Sequence, residues 1–387
     1  MKHSCLPILL VIGACGFAQT LKPQPVPNPS PAGSIQPNWG LASDGSALLS
    51  WVEPSKDDSY TLRYAARHGA AWGEAHTIAA GRNIWRHPAE LPGLISLADG
   101  TLLAHWVEKG SGKDSSDTEY IFVSSSHDGT HWTAPAMAHH DHALVQHGLA
   151  SMVASGPREA SILWLWAPKG EDGPVTLMRT IVDAEGKEIK EEPLDTDVCS
   201  CCPTSVVKTS KGILASYRDH TSKDIRDIAV LRFENGRWST SKILYADNWE
   251  INACPVNAAS ASAKDDRVAI AWYTEAKDTP KVQLVFSSDA GTTFTKPIVI
   301  NTGDTLGYAS TALASDGGAV VSWIEEGEKA ARVMVRSVSP AGVAGPVLQV
   351  AEGSRASLGY PRLLRAGMET LIAWGDPKTG VKTAVLK

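Results

Sequence analysis

The chain has 387 residues, 43% of them hydrophobic and 20% charged, with a net charge of −6 and no run of basic residues. That balance argues against nucleic acid as a partner, since nothing in it would gather phosphates. The length exceeds a usual domain of about 150 residues, which leaves two domains or one repeat architecture.

In chain order, Lys2 and His3 precede the apolar run Leu6 to Ile12, the pattern of an export leader over residues 1–18. The run is too short to span a bilayer, which takes roughly 20 residues. Two ends stay open. Cleavage can follow Ala18, or Ile12-Gly13-Ala14-Cys15 can act as a lipobox that leaves Cys15 carrying a lipid anchor. Both predict an exported protein that is periplasmic, anchored at the outer membrane or secreted. Residues 19–34 hold the proline-rich stretch Lys22 to Pro31, read as an extended tether or a closing strand. Residues 35–387 are expected to form a single domain, monomeric and with no transmembrane segment. Cys5 and Cys15 belong to the leader, which leaves Cys199, Cys201, Cys202 and Cys254. In an oxidising compartment their default state is the disulfide.

From residue 35 onward one phrase recurs: a β-rich run ends in an aromatic, and an acid follows shortly after. Its copies are Trp51-Val-Glu53, Trp106-Val-Glu108, Tyr217-Arg-Asp219, Trp272-Tyr-Thr-Glu275, Trp323-Ile-Glu325 and Trp374-Gly-Asp376, with Trp166 in a divergent one. The aromatics lie 55, 60, 51, 55, 51 and 51 residues apart. Such a period, filled by short strands and Asp-Gly turns, predicts an all-β propeller of four-stranded antiparallel blades. Seven phrases favour seven blades over the alternative of six. The last unit runs short, so an N-terminal segment is expected to supply its fourth strand.

Two segments carry a family mark. Ser287-Ser-Asp289-Ala-Gly291-Thr-Thr-Phe294 fits the Asp-box, and Ser126-His-Asp128-Gly129-Thr-His-Trp132 is a shorter variant. With Trp85-Arg86-His87-Pro88 and Leu306-Gly-Tyr308-Ala-Ser310, they make the chain resemble the sialidase and BNR-repeat propellers. The resemblance implies Arg86 and Arg218 as members of a carboxylate-binding arginine set. It implies Tyr308 as nucleophile and Asp114 or Asp117 as acid/base. The chain also departs from the pattern. Where the family has the glutamate that activates its tyrosine, the sequence reads Cys199-Ser-Cys201-Cys202-Pro203. Where the third arginine is expected it reads Ala253-Cys254-Pro255-Val-Asn257. The family is also six-bladed. Ordinary sialic acid cleavage is therefore not expected.

A propeller gathers the start of each innermost strand at one mouth of its channel. The blade starts place His87, His147, Cys202, Cys254, Tyr308 and Tyr360 there. His87, His147, Cys202 and Cys254, with Cys199 and Cys201 in reserve, would suit copper or zinc. A Cys202–Cys254 disulfide is the competing assignment. Arg86, Arg218, Arg226 and Tyr360 are the candidate binding residues for an anionic small molecule or glycan. His139, His140 and His142 read as a solvated loop cluster. Three functions compete: a divergent glycan hydrolase or lyase, an envelope metalloprotein, and a non-enzymatic binding propeller stapled by disulfides.

Overall fold

The computed structural model of the chain describes residues 21–110, 118–143, 146–169, 173–376 and 378–387. The leader with Cys5 and Cys15, and the candidate acids Asp114 and Asp117, lie outside the described residues.

The recurring phrase has a physical reason. Each aromatic stands in the second strand of a sheet, buried between neighbouring sheets except for the half-buried Trp166, and an indole N–H there needs an acceptor. In a strand, residues two apart share a face. Trp51 therefore donates to Glu53 at 2.7 Å, Trp106 to Glu108 at 2.9 Å and Trp323 to Glu325 at 3.1 Å. In the divergent copies the carboxylate comes from the connection before the blade: Asp141 for Trp166 and Asp247 for Trp272, both at 2.8 Å.

Seven antiparallel sheets result, each built on four strands. Their innermost strands are Ile35–Leu41, Gly93–Ser96, Gln146–Gly156, Ser205–Thr209, Ser260–Lys264, Thr305–Leu313 and Arg362–Ala366. Each touches the next and the last touches the first, so the ring is closed around a channel. We number the blades 1 to 7 in that order.

The two Asp-boxes staple blades together. Asp289 Oδ1 accepts the N–H groups of Thr292 and Thr293, and Ser287 Oγ accepts that of Gly291. Asp128 does the same for Thr130 and His131, whose donors hold its carboxyl well below the usual range. The box aromatics reach the preceding blade: Trp132 meets Tyr64 edge-on at 6.0 Å, and Phe294 packs on the core shared by blades 4 and 5.

The proline-rich segment forms the outer strand of blade 7, where Pro23–Val26 pairs antiparallel with Gly380–Leu386. Lys22 and Lys387 exchange both backbone bonds. By strand alternation Gln24 and Val26 face the sheet and Pro23 and Pro25 face outward. Their missing N–H groups leave the ladder intact and deny a template to another chain. Deleting residues 21–27 removes that cover and the buried Leu21. The expected cost is roughly 3–4 kcal/mol, from a few ladder bonds near 1 kcal/mol each and one buried leucine. Urea unfolding checks it, and an unchanged midpoint would show that the strand is dispensable.

Candidate functional site at the channel mouth

The innermost strands of blades 1, 3 and 6 each start with a β-bulge, and each bulge holds a residue at positive φ: Gln36 at 53°, Leu149 at 56° and Tyr308 at 52°. Bulges re-aim side chains next to functional sites. Two of them are clamped alike. Asn257 Oδ1 accepts the Tyr308 N–H at 2.7 Å while its Nδ2 donates to Leu306 O at 3.1 Å. Glu90 Oε1 accepts the Leu149 N–H at 2.7 Å. Both clamps stand two residues after a proline, in His87-Pro88-Ala89-Glu90 and Cys254-Pro255-Val256-Asn257. Gly307, at φ 82°, has no room for a side chain, because a Cβ would lie 2.2 Å from Asn257 Oδ1. The sequence therefore pins Tyr308 from two sides.

Around Tyr308 the mouth is cationic and aromatic. Arg355, in the short helix Arg355–Leu358, donates from Nε and Nη2 to Tyr308 Oη at 3.2 and 2.7 Å. The Tyr360 ring meets Tyr308 edge-on at 4.5 Å. Its hydroxyl donates to Val256 O, and burial, then Cys202 and Tyr308, push it well above its ordinary value. Beside Tyr360 lies a cavity of about 100 Å³, whose wall includes Arg86, Leu91, Ala356 and Ser357. Arg86 is exposed and lies 4.0 Å from the Tyr60 ring. Among the described residues neither Arg86 nor Arg355 forms an ion pair with a carboxylate.

Other candidates sit elsewhere. Arg218 is not a ligand arginine. It is only 2% exposed, and its guanidinium donates to Asn257 O, Arg226 O and Tyr273 O, leaving little for a ligand. Arg226 also turns away from the tyrosines and donates to Cys199 Sγ at 3.3 Å. The two histidines do not join the cysteines. His87 stacks on Trp85 at 5.8 Å and accepts from Ala89 N–H, and burial, then Lys109, lower its pKa. His147 is buried between blades, its Nδ1 bonded to Glu119 O, and its ring lies 3.9 Å from that of His139. His139 is buried too, so it does not belong to a solvated cluster. Burial, then His147, hold it down at about 3, and its Nε2 accepts from Ile121 N–H. His140 does lie in solvent, paired with Glu188 at 2.7 Å.

The cysteines assemble by themselves. Cys199 Sγ lies 3.5 Å from Cys202 Sγ and 3.8 Å from Cys201 Sγ, and the three could share an ion. Cys254, exposed on the connection to blade 5, approaches Cys201 and lies 3.9 Å from Ser200 Oγ. Among the described residues no disulfide joins Cys202 to Cys254. Contacts with Cys201 and Cys202, aided by Arg218, hold Cys199 well below its ordinary value against burial. Burial, then Cys199, push Cys202 up to about 12.

Sequence reasoning missed Arg355, Glu90 and the clamping role of Asn257. The proline-plus-two spacing is the signal that would have found the two clamps. Arg355 stands in a connection outside the strand repeat and carries no such signal.

Residues 55–367 match the family model of the BNR repeat-like domain. No curated protein matches the chain. Three solved structures are similar to it. An ulvan lyase, a polysaccharide lyase bound to a glucuronate and sulfated rhamnose unit, has 12% identity and a TM-score of 0.57, over 94% of this chain and 98% of that one. A protein of unknown function from Dyadobacter fermentans has 13% identity and a TM-score of 0.53, over 96% and 99%. A variant of the NanB sialidase of Streptococcus pneumoniae has 12% identity and a TM-score of 0.50, over 88% and 82%. At such identities the likeness is one of fold. With the family match spanning most of its length, the chain belongs to the BNR repeat-like family, as a divergent, sialidase-like member with seven blades.

Proposed function

We propose that the chain is a glycan-directed propeller that holds an acidic sugar at its channel mouth, without sialidase chemistry. The observation that carries this is the pair Arg86 and Arg355, two guanidiniums without a carboxylate partner among the described residues, beside the clamped Tyr308 and buried Tyr360. A guanidinium presents a planar fork of donors that suits a carboxylate or sulfate. The half-buried Tyr308 offers part of its ring to a sugar, with Tyr360 packed behind it. Neighbours of the same fold include a sialidase and a lyase bound to an acidic saccharide, which supports this ligand class. Export by residues 1–18 belongs to the same reading, since acidic polysaccharides lie outside the cell.

Calorimetric titration with short uronate- or sulfate-bearing oligosaccharides, against neutral ones of equal length, tests it. Arg86→Ala and Arg355→Ala should each weaken acidic-ligand binding by about 10- to 100-fold, the range for a charge-assisted hydrogen bond. Equal affinity for neutral oligosaccharides, or indifference to both substitutions, would sink the proposal.

A further inference from the structure

We propose that Cys199, Cys201 and Cys202 form a three-sulfur site for a single cuprous ion at the start of blade 4. The site is independent of the glycan reading and uses none of its residues.

The geometry comes first. Thiolates about 2.3 Å from a shared ion stand roughly 3.8–4.0 Å apart in a trigonal or tetrahedral set. The Cys199 separations are 3.5 and 3.8 Å, and all three sulfurs lie within 4.8 Å of one another. Little movement separates this arrangement from a ligand set. Cys-x-Cys-Cys places the three thiols in one turn just before the strand Ser205–Thr209, so the fold itself gathers them.

The donors choose the ion. Three sulfurs with no oxygen or nitrogen among them favour a soft cation. Structural zinc takes four ligands, and the histidines that could complete such a set are engaged elsewhere. The fourth thiol, Cys254, comes from another blade connection and approaches Cys201, but it is exposed and does not lie within 4.8 Å of all three sulfurs. Cys199 and Cys202 are buried, which shields a bound ion from water and oxidants. Charge fits as well. Each thiol that binds releases its proton, and one monovalent cation on three thiolates leaves two negative charges. Arg226, donating to Cys199 at 3.3 Å, and Arg218 behind it supply two positive charges. No electron is transferred in this step. Cys254 stands at the solvent side, where a thiol can take part in handing the ion in or out by ligand exchange.

The test uses the full chain, reduced and kept anaerobic, titrated with cuprous ion against a chromophoric cuprous chelator. One ion per chain is expected, with sulfur-only coordination by X-ray absorption. Cys201→Ser replaces the least buried of the three thiols and should leave the metal-free melting temperature unchanged. It should nevertheless lower affinity by ~100-fold or more, since a soft ligand is replaced by a hard one. Cys254→Ser should change affinity by less than about 10-fold on the same reasoning. Affinity equal to that of the triple serine variant at Cys199, Cys201 and Cys202 would overturn the proposal. So would tight zinc binding that requires Cys254, because it would make the site a four-thiol zinc centre.

Discussion

Arg218→Leu is expected to destabilise the propeller by roughly 4–6 kcal/mol, because a buried fork of donors leaves three carbonyls behind. Arg218 lies in the second strand of blade 4, Gly212–Arg218. Its guanidinium bonds to Arg226 O in its own blade and to Asn257 O and Tyr273 O in the next. Its plane is also near the Trp249 ring, 5.0 Å from the centroid. Leucine fills part of the volume and satisfies none of the carbonyls, each of which costs about 1–3 kcal/mol when buried without a donor. Lysine should recover only a part, since one ammonium cannot reach three acceptors with the geometry of a planar fork. Equilibrium urea unfolding of wild type and variant gives the difference directly. A variant of unchanged stability that lost only ligand binding would return Arg218 to the role that sequence resemblance implied.

The second large effect concerns catalysis. Hydrolysis of a fluorogenic sialoside is expected to run roughly 10²–10⁴-fold below that of a propeller with an oriented base beside its tyrosine, the usual worth of such a base. A phenol attacks well only when a neighbour takes its proton. Among the described residues, Tyr308 Oη has Arg355 as its hydrogen-bonding neighbour, and arginine donates without accepting. The blade 4 start that would carry a glutamate carries the cysteine group instead. Cys202, pushed up to about 12 by burial, then by Cys199, is a thiol at neutral pH and a poor substitute. Brisk turnover that disappears in Tyr308→Phe would overturn this expectation and point to a base outside the described residues.

The blades were legible because their cause is local. A buried indole must find an acceptor, and the nearest supply is the residue two positions on, so burial and hydrogen bonding leave a mark in the sequence at Trp51, Trp106 and Trp323. The position of Tyr308 was legible from its place at a blade start and from the segment Leu306 to Ser310, whereas the crowding of Gly307 by Asn257 and Tyr273 comes from the neighbouring blade and left no local mark. Arg218 was misread because its partners are backbone carbonyls, which every residue has and no sequence advertises. His147 and His139 were misplaced because ring stacking between blades depends on how two sheets meet, not on spacing within either. The cysteine group falls between these cases. Spacing put three thiols in one turn, but whether Cys254 or the histidines joined them depended on distances between blades.

The seam at blade 7 also sets a clock. Pairing Pro23 with Leu386 and Val26 with Thr383 joins parts of the chain about 360 positions apart, whereas a blade joins strands within roughly 50. Blades 1 to 6 can form as their strands arrive, each resting on the one before. Blade 7 has to wait for both ends of the ring to meet. Refolding from urea should therefore show a late phase that reports the docking of residues 23–26. In the reverse direction, that short strand is the place where the ring can part while six blades still hold their shape.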